Sequence, residues 1–174
     1  GNAVCLGAST TLTAVGGSLG VGANYQWGTG SVIGSNAISG ATSSTLSVSP
    51  TSTADYWVQI VNGTGPCSAT TAGLSTTVTV NTPTIATTPT VGSTVWRGAT
   101  STDWTTASNW YAYDGTNYTV ASATPTASSN VIIPANQGCV TQQPTVISGT
   151  VDANNVTVET GAALTMTTGT LNVA

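Results

Sequence analysis

Asp55-Tyr56-Trp57-Val58-Gln59-Ile60-Val61, followed by the turn pair Asn62-Gly63, has the pattern of a β-strand that enters a hairpin. Side chains two residues apart lie on the same face of a strand, so Tyr56 and Val58 are predicted to share one face and Trp57 to point to the other. A tryptophan exposed on the outer face of a sandwich would form a contact patch. We therefore predict a contact role for Trp57.

Strand patterns of this kind recur along the chain. Short runs alternate apolar residues with Thr or Ser and are separated by Gly, Asn and Pro. In the first half these runs are Thr10–Val15, Tyr25–Trp27, Thr45–Val48 and Ser75–Val80. No stretch has apolar residues at helical spacing together with capping residues. The sequence therefore predicts an all-β protein built from sandwiches or related β architectures.

Charge is nearly absent from the chain. The 174 residues include one Lys or Arg, five Asp or Glu and no His, so charged residues are 3% of the chain, against about 25% in an ordinary domain. With 39% hydrophobic residues a core can still form, and the surface is predicted to be Thr, Ser, Asn, Gln and Gly. Without a basic patch, nucleic acid is not an expected partner. No apolar run approaches about 18 residues, so we expect no membrane insertion.

The residues of most catalytic and metal sites are missing as well. Without His and Lys, hydrolase triads, most zinc sites and Schiff-base chemistry are not expected. The five acids are scattered, which argues against a pair of catalytic carboxylates. We predict that the protein is not an enzyme and has no cofactor. Asp114 and Asn117 are a weak candidate for a Ca²⁺ site, with a turn as the preferred interpretation.

A Thr- and Pro-rich stretch divides the chain. Residues 81–93 contain Pro83 and Pro89 among threonines, a composition typical of an extended, semi-rigid spacer. We therefore predict one domain over residues 1–80, a linker over 81–93 and a second domain over 94–174. Within the second domain, an ion pair between Arg97 and Asp103 is left open.

The first domain resembles a known family. The order of its signals, which are Cys5…Leu12, Tyr25-Gln26-Trp27, Leu46-Ser47-Val48, Ala54–Val58, Asn62-Gly63…Cys67 and Val78-Thr79-Val80, is similar to the immunoglobulin-like repeats of secreted, Bacteroidetes-type surface proteins such as adhesins. The resemblance implies a β-sandwich with Trp27 in its core and Tyr56 as the corner tyrosine. Where antibody domains have their core disulfide, this chain has Leu12 and Val58.

Three cysteines lie outside those core positions. We expect a disulfide between Cys5 and Cys67 near one end of the sandwich, with three buried thiols as the alternative. The odd count leaves the state of Cys139 open, because it is either a free thiol or bonded to another chain. The expected disulfide and the Lys-free, Thr-rich composition favour an extracellular location.

The second domain opens on three tryptophans. Trp96, Trp104 and Trp110 lie in the pattern W-x-G-x-x-S-x-D-W…N-W, which resembles a second module of the same secreted proteins, usually followed by β-solenoid-like strands. Because this domain has no Phe, the tryptophans are predicted to form its core. The alternative is a sugar-binding platform that also uses Tyr111, Tyr113 and Tyr118.

Three apolar-polar-apolar triplets close the sequence. Val156-Thr157-Val158, Leu164-Thr165-Met166 and Leu171-Asn172-Val173 recur after eight and then seven residues, which predicts a stacked or meandering sheet. The last triplet lacks the polar terminal unit of a finished solenoid, so either a longer chain or another subunit is expected to complete it. Leu171 and Val173 are therefore candidate contact residues.

These observations favour one class of function. We expect an extracellular structural or adhesive surface protein whose partners are copies of itself, assembled into a filament or sheath through edge-strand or donor-strand contacts. The alternative is a carbohydrate-binding module of a larger secreted protein, with glycans as partners. Ordered fibres in electron microscopy would support the first, and binding on a glycan array that Trp104→Ala and Trp110→Ala abolish without loss of fold would support the second.

Overall fold

The computed structural model describes residues 2–16, 19–62 and 70–174. The all-β prediction is confirmed, because the only helical element in these residues is a single 3₁₀ turn at Ala107–Asn109. No helix in the described ranges is long and apolar enough to cross a membrane. The chain forms two compact units, Gly1–Val80 and Asn81–Ala174.

The first unit is a β-sandwich. One sheet has the order β1-β6-β5-β3, and the second consists of the antiparallel pair β2 and β4. Leu12 and Val48 from the smaller sheet meet Trp27, Tyr56 and Val78 from the larger one, all of them buried. Val58 packs at the margin of this core. The strands are β1 Asn2–Cys5, β2 Thr10–Thr13, β3 Ala23–Thr29, β4 Thr45–Val48, β5 Ala54–Asn62 and β6 Leu74–Asn81.

The prediction of an exposed Trp57 is wrong. Trp57 is 1% exposed, and its indole N–H donates to the Ser35 carbonyl at 2.8 Å. Its ring lies over Gly28, where a Cβ atom would overlap it. The alternation of β5 places Trp57 on the face opposite Tyr56. The loop that follows β3 then covers that face, and its Ile38 N–H donates to the Trp27 carbonyl at 2.8 Å.

The second unit is mainly a parallel stack. Strands β10, β11 and β12 form three sides of one coil, and β13, β14 and β15 form the next coil, each strand pairing in parallel with its counterpart 20 or 25 residues earlier. We call these the inner coil and the outer coil. The strands are β7 Thr94–Trp96, β8 Trp110–Tyr113, β9 Tyr118–Val120, β10 Asn130–Ile133, β11 Thr145–Val146, β12 Thr150–Ala153, β13 Asn155–Val158, β14 Thr165–Met166 and β15 Thr170–Val173.

The three C-terminal triplets play a different part from the one that their spacing suggests. They are stacked, but not on one another: β13, β14 and β15 are three sides of a single coil. The repeating unit is therefore the whole coil, because each strand takes its hydrogen bonds from the coil below it. The spacing of seven or eight residues therefore separates the successive sides of one coil, not successive layers of the stack.

The stretch expected to be a spacer belongs to the second unit. Residues 81–93 fall inside that unit, and Pro83 is buried. The backbone N–H groups of Ala86 and Thr87 both donate to Glu159 Oε1, at 2.8 and 2.7 Å. A Pro-rich composition predicts an extended chain, but this one bends at residues 86–87 and turns at 91–92, where the Ser93 N–H donates to the Thr90 carbonyl at 2.9 Å.

Candidate functional site

Three tryptophans close one end of the second unit. The parallel sheet β13-β10-β7 continues into the antiparallel hairpin β8–β9, and Trp96 on β7 is paired with Trp110 on β8. Trp110 contacts Trp96 and Trp104 edge to face, with ring centroids 4.8 and 4.7 Å apart. All three rings are 0% exposed. We call this the tryptophan end.

The burial of these rings bears on sugar binding. A stacking platform needs an accessible ring face, and Trp96, Trp104 and Trp110 offer none. Two of their indole N–H groups also have partners inside the unit, because Trp96 donates to the Gln142 carbonyl at 2.6 Å and Trp110 to the Trp104 carbonyl at 2.8 Å. Of the other aromatic residues in this stretch, Tyr111 is buried, and Tyr113 and Tyr118 are half-buried against each other.

Asn109 holds the loop that carries these tryptophans. Its side chain is fully buried and makes five hydrogen bonds. Oδ1 accepts from the Thr100 N–H, the Thr100 hydroxyl and the Ser101 N–H, at 3.0, 2.7 and 3.1 Å. Nδ2 donates to the Ser101 hydroxyl and the Asp103 carbonyl, at 2.9 and 3.0 Å. The spacing S-x-D-W…N-W therefore encodes one buried amide, a role that the sequence analysis did not assign to Asn109.

Arg97 is the only Lys or Arg of the chain, and it is buried. It is 5% exposed, donates from Nη1 to the Ser108 carbonyl at 3.2 Å and lies 5.4 Å from the centre of the Tyr111 ring. Burial raises the pKa of Tyr111, and the nearby guanidinium partly offsets the rise. Asp103, the ion-pair partner considered for Arg97, accepts instead from the N–H and hydroxyl of Thr105.

All five carboxylates are hydrogen-bonded within the protein. Each one fixes a turn, a strand pair or a neighbouring segment, at donor–acceptor distances of 2.6 to 3.0 Å. The pairs are Asp55 with Thr77, Asp103 with Thr105, Asp114 with Thr116 and Asn117, Asp152 with Asn172, and Glu159 with Ala86 and Thr87. With Arg97 buried, no side-chain cation of this chain is accessible at the surface.

Asp114 forms a turn between β8 and β9. Hydrogen bonds from the backbone N–H groups of Asn117 and Thr116 to its carboxylate hold the pKa of Asp114 below 3.8. The weak Ca²⁺ candidate would need six to eight oxygen ligands, and this turn offers one carboxylate that its own backbone already uses. The described part of the chain has no group of three or more His, Cys, Asp or Glu side chains that could hold a metal ion.

At the opposite end of the second unit, none of the described residues covers the outer coil. Apolar residues of the outer coil stack in register on those of the inner coil: Val158 on Ile133, Met166 on Val146 and Val173 on Ala153. The three residues of the inner coil are almost fully buried, with exposures of 0% for Ile133, 1% for Val146 and 1% for Ala153. Those of the outer coil are about half exposed, at 44% for Val158, 41% for Met166 and 54% for Val173. Val156 and Leu171 continue the same layer, half-buried, on Val131 and Val151. We call these five upper residues the apolar end; it includes the predicted contact residues Leu171 and Val173.

The backbone of the outer coil is unpaired on the same side. Its N–H groups at Thr165, Thr167, Thr170 and Ala174 donate to carbonyls of the inner coil at 2.8 to 3.1 Å. In a parallel ladder alternate residues point their N–H and C=O groups to opposite sides. The intervening residues, which include Met166, Leu171 and Val173, therefore direct theirs away from the inner coil. Among the described strands none pairs with β13, β14 or β15 on that side.

The cysteine pairing differs from the prediction. Cys5 is disulfide-bonded to Cys139, so the expected Cys5–Cys67 bond is wrong. Cys67 itself lies outside the described residues. Sequence spacing within the first domain suggested a local pair, but pairing depends on which sulfur atoms the fold brings together, and Cys139 lies far along the chain between β10 and β11.

Comparisons with known proteins found nothing similar. No family model matches the chain, and neither a curated protein nor a solved structure does. The function is therefore argued from the geometry of the two units alone.

Proposed function

We propose that this protein is an extracellular structural or adhesive surface protein that assembles with copies of itself. The observation that carries the proposal is where the few charged side chains lie and which groups they bind. The one cation is buried, and every carboxylate is hydrogen-bonded to a neighbouring part of the fold. Exposed charge normally keeps protein copies apart, and the surface of this 174-residue chain carries only five carboxylates and no accessible cation.

Strand edges support the same proposal. Natural sheets usually protect their edges with lysine or other charges, with proline or with bulges. Here the edge strand β9 reads Tyr118-Thr119-Val120, and the outer coil carries only Glu159, whose carboxylate already binds Ala86 and Thr87. Edges of this kind are available for pairing with another chain.

The disulfide supports the proposed location. Structural disulfides persist in oxidising environments and are rare in the cytosol. The bond between Cys5 and Cys139 therefore favours a protein that acts outside the cell. An all-β chain with few charges and a disulfide suits a filament, a sheath or an adhesive layer.

Assembly is tested directly on the purified 174-residue chain. We expect ordered fibres by negative-stain electron microscopy, or a mass by light scattering that grows with protein concentration. Assembly should depend little on salt, because the contacts are backbone pairing and apolar packing rather than ion pairs. A chain that stays monomeric at millimolar concentration at every salt concentration would contradict the proposal.

A charge placed on an edge gives the matched control. Thr119→Lys on β9 introduces the residue that natural edges use to block pairing, whereas Ser75→Lys places the same charge at an exposed position of β6, which is paired on both sides, with β1 and β5. If β9 takes part in assembly, the first variant reduces the assembled fraction and the second leaves it close to that of the parent chain.

A further inference from the structure

We propose that Tyr113 and Tyr118 form an oxidative cross-linking site, at which a carbon–carbon bond joins their rings and closes the β8–β9 hairpin covalently. The oxidant that this bond requires is hydrogen peroxide, acting through a peroxidase. The bond forms within one chain and needs no second copy, so it goes beyond the proposed function.

The two rings face each other across the hairpin. Tyr113 on β8 is paired with Tyr118 on β9, and their ring centroids lie 5.0 Å apart with an angle of 41° between the ring planes. In the turn, the Asp114 N–H donates to the Asn117 carbonyl, so the adjacent tyrosine pair is a non-hydrogen-bonded pair of the ladder. Side chains approach most closely at such pairs. The rings are therefore in contact before any bond joins them.

Tyr111 lies on the same face of β8 and is a less suitable partner for Tyr118. The centroids of these two rings are 6.1 Å apart, with 62° between the ring planes. Tyr111 is 0% exposed, and the Arg97 guanidinium lies 5.4 Å from the centre of its ring. A positive charge nearby opposes the loss of an electron. Tyr113 and Tyr118 are both partly exposed, so oxidation is expected at these two rings.

Both phenols begin in the protonated form. The Tyr113 hydroxyl donates to the Gly115 carbonyl at 2.9 Å. Burial raises the pKa of Tyr118, and the neighbouring Tyr113 and Glu159 add to the rise. Each phenol must therefore lose a proton together with its electron, and partial exposure lets water carry that proton away.

The reaction balances with one molecule of hydrogen peroxide. Each phenol loses one electron and one proton and becomes a phenoxyl radical. The two radicals join through the ring carbons next to their oxygen atoms, and the hydrogen atoms on those carbons move to the oxygens, which restores both phenols. The two electrons and two protons reduce the peroxide to two molecules of water.

A bond at this place fixes the edge strand of a sheet. Strand β9 pairs with β8 on one side, and among the described strands none pairs with it on the other. A strand held by a single ladder opens locally more easily than a central one. The cross-link ties β9 to β8, so the hairpin that closes the tryptophan end could no longer separate into its two strands.

The test treats the purified 174-residue chain with a peroxidase and hydrogen peroxide. We expect a monomer whose mass is lower by two hydrogen atoms and which has the blue fluorescence of coupled tyrosines. A protease that cuts before Asp separates Tyr113 from Tyr118 at Asp114. After the disulfide is reduced, residues 103–113 and 114–151 should remain joined although the main chain between them is cut. An unchanged mass, or two separate peptides, would overturn the inference.

Variants that remove single hydroxyl groups give matched controls. Tyr113→Phe and Tyr118→Phe keep a ring at each position and remove the O–H group that must lose its hydrogen, so each should abolish the cross-link. Tyr111→Phe should leave its yield unchanged. A cross-link that persists in Tyr113→Phe and disappears in Tyr111→Phe would show that the other pair reacts. Circular dichroism and unfolding midpoints establish that each variant is folded.

Hydrogen exchange reports on the hairpin itself. By alternation the Thr119 N–H lies in the ladder with β8, and its exchange should slow after cross-linking, while that of Leu12 in the first unit should not change. Cross-links found only between copies would overturn the closure of the hairpin. A chain that cross-links within the monomer but never assembles would remove the proposed function and leave this inference standing.

Discussion

The tryptophan end and the apolar end of the second unit share one architecture and differ in what covers them. At the tryptophan end the sheet turns back as an antiparallel hairpin, and three bulky rings pack into the space that another coil would occupy. At the apolar end the aliphatic side chains of the outer coil lie on a buried layer and are themselves about half exposed. One end of the stack is thus covered by aromatic bulk and a hairpin of reversed strand direction, whereas none of the described residues covers the layer of the outer coil.

The largest effect is expected from opening the tryptophan end. Trp110→Ala removes the central ring of the cluster, which contacts both Trp96 and Trp104 and is fully buried. We expect the free energy of unfolding to fall by about 3–5 kcal/mol, since a large cavity cannot collapse in a packed interior. Denaturant unfolding followed by the remaining tryptophan fluorescence measures it. Trp110→Phe, which keeps an aromatic ring, should lose clearly less; an equal loss would show that ring packing is not what closes this end.

A somewhat smaller effect is expected from the loop that carries the tryptophans. Asn109→Ala removes all five hydrogen bonds of a fully buried amide and should cost about 3 kcal/mol, given about 0.5–1.5 kcal/mol net for each hydrogen bond. Asn109→Asp keeps the accepting oxygen and loses only the two bonds donated by Nδ2. At neutral pH the aspartate variant also buries a charge, so the two are best compared near pH 4. An alanine variant as stable as the parent chain would contradict the role of this amide.

The two coils offer a comparison in which the residue type is held constant. Val131 on the inner coil is 1% exposed, and Val156 stacks directly on it in the outer coil, half-buried. Val131→Ala should reduce the free energy of unfolding by about 2 kcal/mol, and Val156→Ala by less than about 1 kcal/mol, because the second side chain is only half-buried. Denaturant unfolding of both variants measures the difference. Equal costs would show that burial does not set the contribution of these two valines.

The smallest effect is expected from protonation of Asp114, in the turn of the β8–β9 hairpin. Hydrogen bonds from Asn117 and Thr116 lower the pKa of Asp114 in the folded state. The ionised carboxylate therefore stabilises the fold at pH values above the pKa that Asp114 has in the unfolded chain. This stabilisation is lost as the pH falls through the lower pKa of the folded state. Asp114→Asn should remove that part of the pH dependence of thermal unfolding. A variant whose melting temperature follows the parent curve between pH 5 and pH 2 would show that this turn contributes nothing.

Much of the first unit could be predicted from alternation alone, and the reason is local. The β5 strand, its hairpin signal and the burial of Trp27 and Tyr56 follow from a two-residue period and from the sizes of the side chains. Alternation placed Trp57 correctly on the face opposite Tyr56, but the prediction that this face leaves it exposed was wrong. The loop that covers it packs there through tertiary contacts, and alternation carries no information about what lies above a sheet.

The candidate site was predicted in part. Leu171 and Val173, the predicted contact residues, lie together in the outer coil, and their contact role stays a prediction. The true extent of the apolar end was not visible, because Val158, Met166 and Val173 become one layer only when three strands form three sides of a coil. The pairing of Cys5 with Cys139 was missed for the same reason, since residues more than a hundred positions apart carry no local signal.

The sequence by itself determined that the chain is all-β, nearly uncharged and without the residues of common catalysis, because composition and two-residue alternation are local properties. Only the tertiary structure decided which coil each strand joins and which tryptophans are covered. It also decided that the single arginine is buried and that the aliphatic side chains of the outer coil form one layer. Those outcomes depend on contacts between residues 6 to 46 positions apart, and the packing of loops and whole coils selects among them.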